Sequence, residues 1–283
     1  MRSFIVVLAL LSGCTTLTVR ESSFIRPDSV TRYQAGPRFD QAALAALRPA
    51  ASLSEQRVTL ADGGIAQGVL VRQPGARTTV LYFGGNAFHL DRDGPGALAS
   101  LASCGANVAI FDYRGYGRSA GKPTVALMTS DAVAIFDHLN AQFPGQVVIH
   151  GQSLGSFIGA QVARQRPARA LVLESTATTP QEWASANVPW YARWFVKIEV
   201  TPPLAGVDNV AAVSAFRGPG LVLVGANDRI TPAALGRRVF EAMPGSPTQL
   251  LVAAGAGHND VLANQGTVLG YCSFIGKLAP AAQ

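Results

Sequence analysis

Charge, cysteine and histidine are all in short supply in this chain of 283 residues, and each shortage closes off a kind of function. Only 14% of the residues are charged, and the arginines are scattered, with no basic helix and no basic patch interleaved with aromatics. A formal net charge of +6 and a pI near 9.6 therefore do not describe a nucleic-acid binder. A mild positive charge suits an anionic membrane surface equally well. The three cysteines and four histidines form no cluster and no His-Glu-x-x-His pattern, so no metal centre is expected. No dinucleotide glycine fingerprint stands at a first βα turn, so no redox cofactor is expected. The apolar run Phe4–Leu11 is far shorter than the roughly 20 residues that a membrane-spanning helix needs. Repeats and low-complexity tracts are missing too.

The chain is instead rich in glycine, with 29, and 48% hydrophobic, enough for the core of one α/β domain. Two serines fall in Gly-x-Ser-x-Gly frames, a pattern too short to carry an argument without its context. Gly151-Gln152-Ser153-Leu154-Gly155 follows the β-branched run Gln146–His150 and precedes an apolar segment, Ser156–Arg164, that Pro167 stops. Strand, tight turn and helix together predict a nucleophile elbow, in which a strained turn lifts the serine hydroxyl clear of the sheet. Gly117-Arg118-Ser119-Ala120-Gly121 has only loop chemistry behind it, Gly121-Lys122-Pro123, and no helix. Ser153 is the candidate nucleophile, and Ser119 belongs to a loop.

A nucleophilic serine needs a base, and the base needs an acid to orient it. His150 lies within the strand before the elbow and reads as a hydrogen-bonded core residue; His138 falls in the helical pattern Val125–Gln142; His89 precedes the serine in a glycine-rich turn. That leaves His258, in the loop after the strand Gln249–Val252. Asp228 follows another buried strand, Leu221–Val224, at the carboxyl end where open α/β sheets place their ligands; alone it reads equally well as a turn or cap before Thr231-Pro232. Ser153, Asp228 and His258 stand in the chain order Ser…Asp…His, each directly after a strand. An oxyanion hole takes one amide from the residue after the nucleophile, Leu154, and one from the loop after an early strand. Here that loop is Gly84-Gly85-Asn86-Ala87, with Asn86 as the donor and Ala87 as the neighbouring alternative.

Phe83-Gly84-Gly85-Asn86-Ala87, Phe111-Asp112-Tyr113-Arg114-Gly115-Tyr116-Gly117-Arg118-Ser119 and the Ser153 frame together resemble the α/β hydrolases grouped with bud emergence protein 46 and the alpha/beta hydrolase domain-containing proteins 13 and 17. The resemblance runs from about residue 55 to the C-terminus. It implies a serine hydrolase of esters or thioesters, with Ser153, Asp228 and His258 as triad and the Ser119 segment as the loop after the fourth strand. One position departs: the family usually has histidine where this chain has Gly84.

The expected fold is α/β: a mostly parallel central sheet of about eight strands with helices on both faces and a short helical lid. Strands are expected near 55–60, 66–72, 78–83, 107–112, 146–150, 169–174, 220–225 and 248–252, the first two forming a hairpin at Asp62-Gly63-Gly64. Residues 175–218 interrupt the alternation and hold all three tryptophans. Asn187 reads as the cap of a helix beginning at Pro189, with Trp190, Trp194 and Ile198 on one face and Pro202-Pro203 as its stop. That face is either ordinary core or a lid over the elbow, with Trp190 and Trp194 touching substrate.

Arg2 and the apolar run after it make the pattern of an export signal. Leu11-Ser12-Gly13-Cys14 resembles the lipobox of bacterial lipoproteins, in which cleavage precedes a cysteine that becomes lipid-modified and holds the protein at a membrane. The alternative is a plain signal peptide that contains a cysteine. Thr15 after the cysteine is compatible with sorting to an outer membrane. The expected organisation is a signal peptide, 1–13, an arm, 14–50, with a short helix at Gln41–Leu47, and a hydrolase domain, 51–283. Loss of Arg2 with the signal lowers the net charge of +6 to +5. Cys104 and Cys272 remain, and the first and last helices that carry them pack on one face in this fold. They are either a disulfide, as an oxidising compartment favours, or two buried thiols.

The whole chain thus reads as a lipid-anchored serine hydrolase of the bacterial cell envelope, facing the periplasm and cleaving a carboxylic ester or a lipid. The alternatives are a thioesterase, a serine peptidase of aminopeptidase type, and a binding lipoprotein without catalysis.

Overall fold

The computed structural model describes residues 15–245 and 247–278. The signal peptide and Cys14 lie outside the described residues. Ten strands form two sheets: β1 (Thr15–Val19), β2 (Ser52–Thr59), β3 (Ile65–Arg72), β4 (Thr79–Phe83), β5 (Asn107–Phe111), β6 (Val147–Gln152), β7 (Ala170–Glu174), β8 (Val196–Val200), β9 (Gly220–Gly225) and β10 (Thr248–Ala253). The main sheet runs β2-β3-β5-β4-β6-β7-β9-β10. Its first two pairings are antiparallel and the rest parallel. The β2–β3 hairpin turns at Asp62-Gly63-Gly64, where Gly63 takes a φ of +83°.

Side chains alternate faces along a strand, and the packing follows that alternation residue by residue. Leu70, Leu81, Phe83, Ile149, Leu173 and Val222 pack against the helices Val125–Gln142, Leu154–Gln165 and Ala233–Glu241. Their neighbours in sequence (Val69, Val80, Tyr82, Val148, Val172 and Leu221) pack against Leu90–Leu101 and Gln265–Leu278 on the opposite face. A sheet covered on both sides explains why β4, β5 and β7 are buried throughout and apolar except for Thr79, Asn107 and Glu174 at their ends. Cys104, in the turn after Leu90–Leu101, forms a disulfide with Cys272 of Gln265–Leu278, with Cα atoms 4.6 Å apart.

The insertion after β7 is not built as its sequence suggests. Its helix is Pro180–Ala186, with Thr179 as the N-cap accepting from the Glu182 amide; Asn187 ends that helix instead of starting another. The chain then turns through Arg193–Phe195 into β8. Val196-Lys197-Ile198-Glu199-Val200 alternates with period two and is rich in β-branched residues, so it extends once a partner strand is supplied. β1 supplies it, pairing parallel in a separate two-stranded sheet. Pro202-Pro203 opens a helical turn, Pro202–Ala205, where it was expected to stop one. With no helix from Pro189 to Ile198, Trp190 and Trp194 are left exposed to solvent.

The arm is no loose tail. It contains the expected helix Gln41–Leu47 and the one-turn helices Glu21–Phe24 and Asp28–Thr31, and it buries Phe24, Ile25, Phe39 and Leu44. One Asp28 carboxylate oxygen lies 2.6 Å from His89 Nε2, and the other accepts from the Gly117 amide at 2.8 Å.

Candidate active site

β6 ends at Gln152 and the helix Leu154–Gln165 begins two residues later, which leaves Ser153 alone to make the turn. Its backbone sits at φ 52°, ψ −115°, a conformation that costs an L-residue on the order of 1–3 kcal/mol. The flanking glycines make room for it. A Cβ on Gly151 would stand 2.2 Å from the Gly155 carbonyl oxygen, and one on Gly155 would stand 2.0 Å from that of Phe83. The Ser153 amide donates to the Glu174 carbonyl at 2.9 Å, tying the elbow to β7.

His258 Nε2 lies 2.8 Å from Ser153 Oγ, and His258 Nδ1 lies 2.8 Å from Asp228 Oδ2. The histidine loop is held by the Gly257 amide donating to Asp260 and by Ser175 Oγ donating to the His258 carbonyl at 2.8 Å. Gly225 lets that loop close in, because a Cβ there would be 2.1 Å from the Gly257 oxygen. Asp228 Oδ1 accepts from the amides of Ile230 and Thr231, and Thr231 Oγ1 lies 2.7 Å from Oδ2. Burial pushes the Asp228 pKa up, but the hydrogen bonds from His258 and Thr231 outweigh it and hold the carboxyl below its ordinary value. This aspartate is an anion fixed behind an imidazole.

The loop after β4 packs against the elbow. A Cβ on Gly85 would meet Gln152 Oε1 at 2.3 Å and Ser153 Cβ at 3.4 Å. At Gly84 the space belongs to Phe88, whose ring a Cβ would meet at 2.3 Å. Asn86 spends its side chain on the arm: Oδ1 accepts from the Arg26 amide and the Tyr116 hydroxyl, and Nδ2 donates to the Phe24 carbonyl. Leu154, as the first residue of its helix, has an amide without an intrahelical acceptor.

A cleft of about 830 Å³ opens over Ser153, His258 and Leu154, with Asn86 at its rim. One wall is apolar: Phe24 stands edge-on to Phe157 at 5.2 Å and to Trp183 at 5.8 Å, with Ile230 nearby. The other carries Tyr82, Gln152, Glu174 and Arg92. Trp190 and Trp194 are not part of it; Trp183 holds the place assigned to them. Phe24 and Arg26 of the arm went unseen in the sequence, since nothing local marks which distant rings an arm residue will meet. Trp183 was findable from Thr179-Pro180 as a cap and first helical position.

The other serine and histidines are spoken for. Ser119 is buried in a tight turn, its Oγ accepting from the Gln67 amide at 2.9 Å. His150 lies between Glu174 and Tyr271, His89 is stacked on Tyr33 and paired with Asp28, and His138 is bonded to Gln56 and Gln142.

The family model described as serine aminopeptidase, S33 matches residues 74–208. An uncharacterized protein of Mycobacterium tuberculosis is 35% identical over 190 residues, which span 66% of this chain and 64% of that protein. The alpha/beta hydrolase domain-containing protein 17B of Homo sapiens is 29% identical over 191 residues, 66% of this chain and 62% of its own length. Among solved structures, the esterase Pf2001 of Pyrococcus furiosus superposes with a TM-score of 0.67 at 17% identity, covering 90% of this chain and 97% of that one. A thermophilic esterase from Thermogutta terrifontis superposes with a TM-score of 0.59 at 21% identity, covering 80% and 100%. The fold is that of the α/β hydrolases, and the chain spans somewhat less than two thirds of the length of the sequence relatives it matches.

Proposed function

We propose that the protein is a serine hydrolase that cleaves a carboxylic ester through an acyl-enzyme. The observation that carries this reading is the unbroken relay from Ser153 through His258 to Asp228, with 2.8 Å at each step. Ser153 Oγ attacks the carbonyl carbon as His258 Nε2 takes its proton, and the imidazolium that forms is stabilised by the fixed anion of Asp228. The oxyanion is held by the amides of Leu154 and Asn86. His258 then returns the proton to the leaving alcohol. Water, deprotonated by the same imidazole, attacks the acyl-enzyme and releases the acid. The apolar wall of Phe24, Phe157 and Trp183 suits an acyl chain. Ser153→Ala should lower turnover by several orders of magnitude and abolish labelling by a fluorophosphonate. A wild-type protein that a fluorophosphonate leaves unlabelled would be a binding protein, not an enzyme. The family model's description favours one second reading, amide cleavage of the aminopeptidase kind. Rates on p-nitrophenyl esters, acyl thioesters and aminoacyl amides separate these activities.

We further propose that the chain is exported, cleaved before Cys14 and lipidated there, and acts at the bacterial cell envelope, at an outer membrane facing the periplasm. The Cys104–Cys272 disulfide supports an oxidising compartment. Wild-type protein should sediment with membranes and carry an acyl mass on its N-terminal peptide. Cys14→Ser should shift it to the soluble fraction or leave it uncleaved.

A further inference from the structure

Four aromatic side chains stand in solvent within six residues: Trp190 at 77% exposure, Tyr191 at 64%, Trp194 at 86% and Phe195 at 65%. Among the described residues no other aromatic is so exposed. Apolar surface gathered in this way marks an interaction site, and Trp and Tyr concentrate where one end of a ring meets hydrocarbon and the other meets water. The loop is held in its own shape. Arg193 Nε donates to the Val188 carbonyl at 3.0 Å, and Trp190 and Tyr191 stand edge to face with centroids 5.9 Å apart.

Its position says what covers it. The aromatic run leads straight into β8, and β1 pairs with β8 in parallel, Thr15 opposite Val196. Both chains therefore enter the small sheet from the same end, on strands about 5 Å apart. One enters from Trp194-Phe195 and the other from Cys14, the residue before Thr15. Acyl chains on that cysteine would meet a bilayer within a few residues of the rings. Lys197, beside the end where both chains enter, is ion-paired with Glu199 at 2.7 Å, and the chain's net charge of +6 suits an anionic surface as a whole. The loop is also continuous with the cleft. The helix Pro180–Ala186 puts Trp183 in the cleft wall before running into the loop, and Asn187 Nδ2 donates to the carbonyl of Ile230 on the cleft's rim at 3.0 Å.

We propose that residues 190–195 are an interfacial anchor that sits in the headgroup layer of an anionic phospholipid bilayer and holds the mouth of the cleft against it, so that the enzyme takes acyl esters from the membrane. The inference rests on the lipoprotein reading for the anchor at Cys14, whereas the loop's own affinity for lipid does not depend on it.

The test uses the intact lipidated protein on vesicles of phosphatidylethanolamine and phosphatidylglycerol whose acyl chains are brominated near the carbonyl. Bromine should quench about half or more of the tryptophan emission, and a Trp190→Ser/Trp194→Ser protein, left with Trp183, should lose that response. The double variant should hydrolyse a soluble short-chain ester at the wild-type rate, yet an ester embedded in vesicles about tenfold more slowly. Emission that bromine leaves unchanged in vesicle-attached protein would overturn the proposal. So would wild-type protein in detergent with twice the mass of the double variant, since the patch would then be covered by a second copy. Cys14→Ser protein separates the two readings: co-sedimentation with these vesicles that the double substitution removes supports the anchor even if no acyl mass is found on wild-type Cys14.

Discussion

Ser153 and Ser119 occupy the same five-residue frame, and the neighbours of each hydroxyl divide them. Ser153 Oγ faces an imidazole backed by a fixed carboxylate, while Ser119 Oγ accepts a backbone amide within a buried turn. The second contact belongs to folding. Ser119→Ala should keep most of the turnover while lowering stability by about 1–2 kcal/mol, because the Gln67 amide loses its acceptor. Urea unfolding beside an ester assay checks both halves, and a folded but inactive variant would contradict the assignment of the elbow. Gly84 and Phe88 form a residue-scale pair: a side chain at Gly84 would collide with the Phe88 ring, so neither position can grow alone.

Among the elements, the arm matters most for the cleft. Phe24 closes the apolar wall by meeting Phe157 and Trp183, and the side chain of Asn86 ties residues 24–26 to the loop after β4. Phe24→Ala should cost about 2–4 kcal/mol of stability and raise KM for medium-chain esters more than for acetate esters. Equal effects on both chain lengths would mean that the ring serves the fold alone. Elements whose signal is local were legible in the sequence: Gln41–Leu47 and Val125–Gln142 form with the expected bounds, each behind a side-chain cap, Asp40 and Thr124. That Ser153, Asp228 and His258 come together was legible for a similar reason, since each follows a strand of its own. The insertion was not. Its tryptophans recur at helical spacing, but the deciding partner, β1, lies far away in sequence and carries no mark of whom it pairs with. Tertiary pairing overrode a weak local preference.

At the scale of the whole molecule, the disulfide clamps the helices Leu90–Leu101 and Gln265–Leu278 over one face of the sheet and spans 168 residues. The chain-entropy model gives such a closure a stabilisation on the order of 5 kcal/mol. Reduction of the folded protein should therefore lower its melting temperature by about 10 °C. An unchanged melting temperature after complete reduction would show that the clamp adds little. Thiol titration of the denatured, unreduced protein should find Cys104 and Cys272 oxidised and at most one free cysteine, Cys14.

The pairing of β1 with β8 also sets a clock. The arm emerges first during synthesis, yet the strand that receives it is made some 180 residues later. At ordinary elongation rates that is a wait of about 10–40 s. Throughout that interval β1 has no partner strand, whereas the arm's partners Asn86, His89 and Phe157 are made before it ends. The small sheet is thus the part of the arm's packing that closes last.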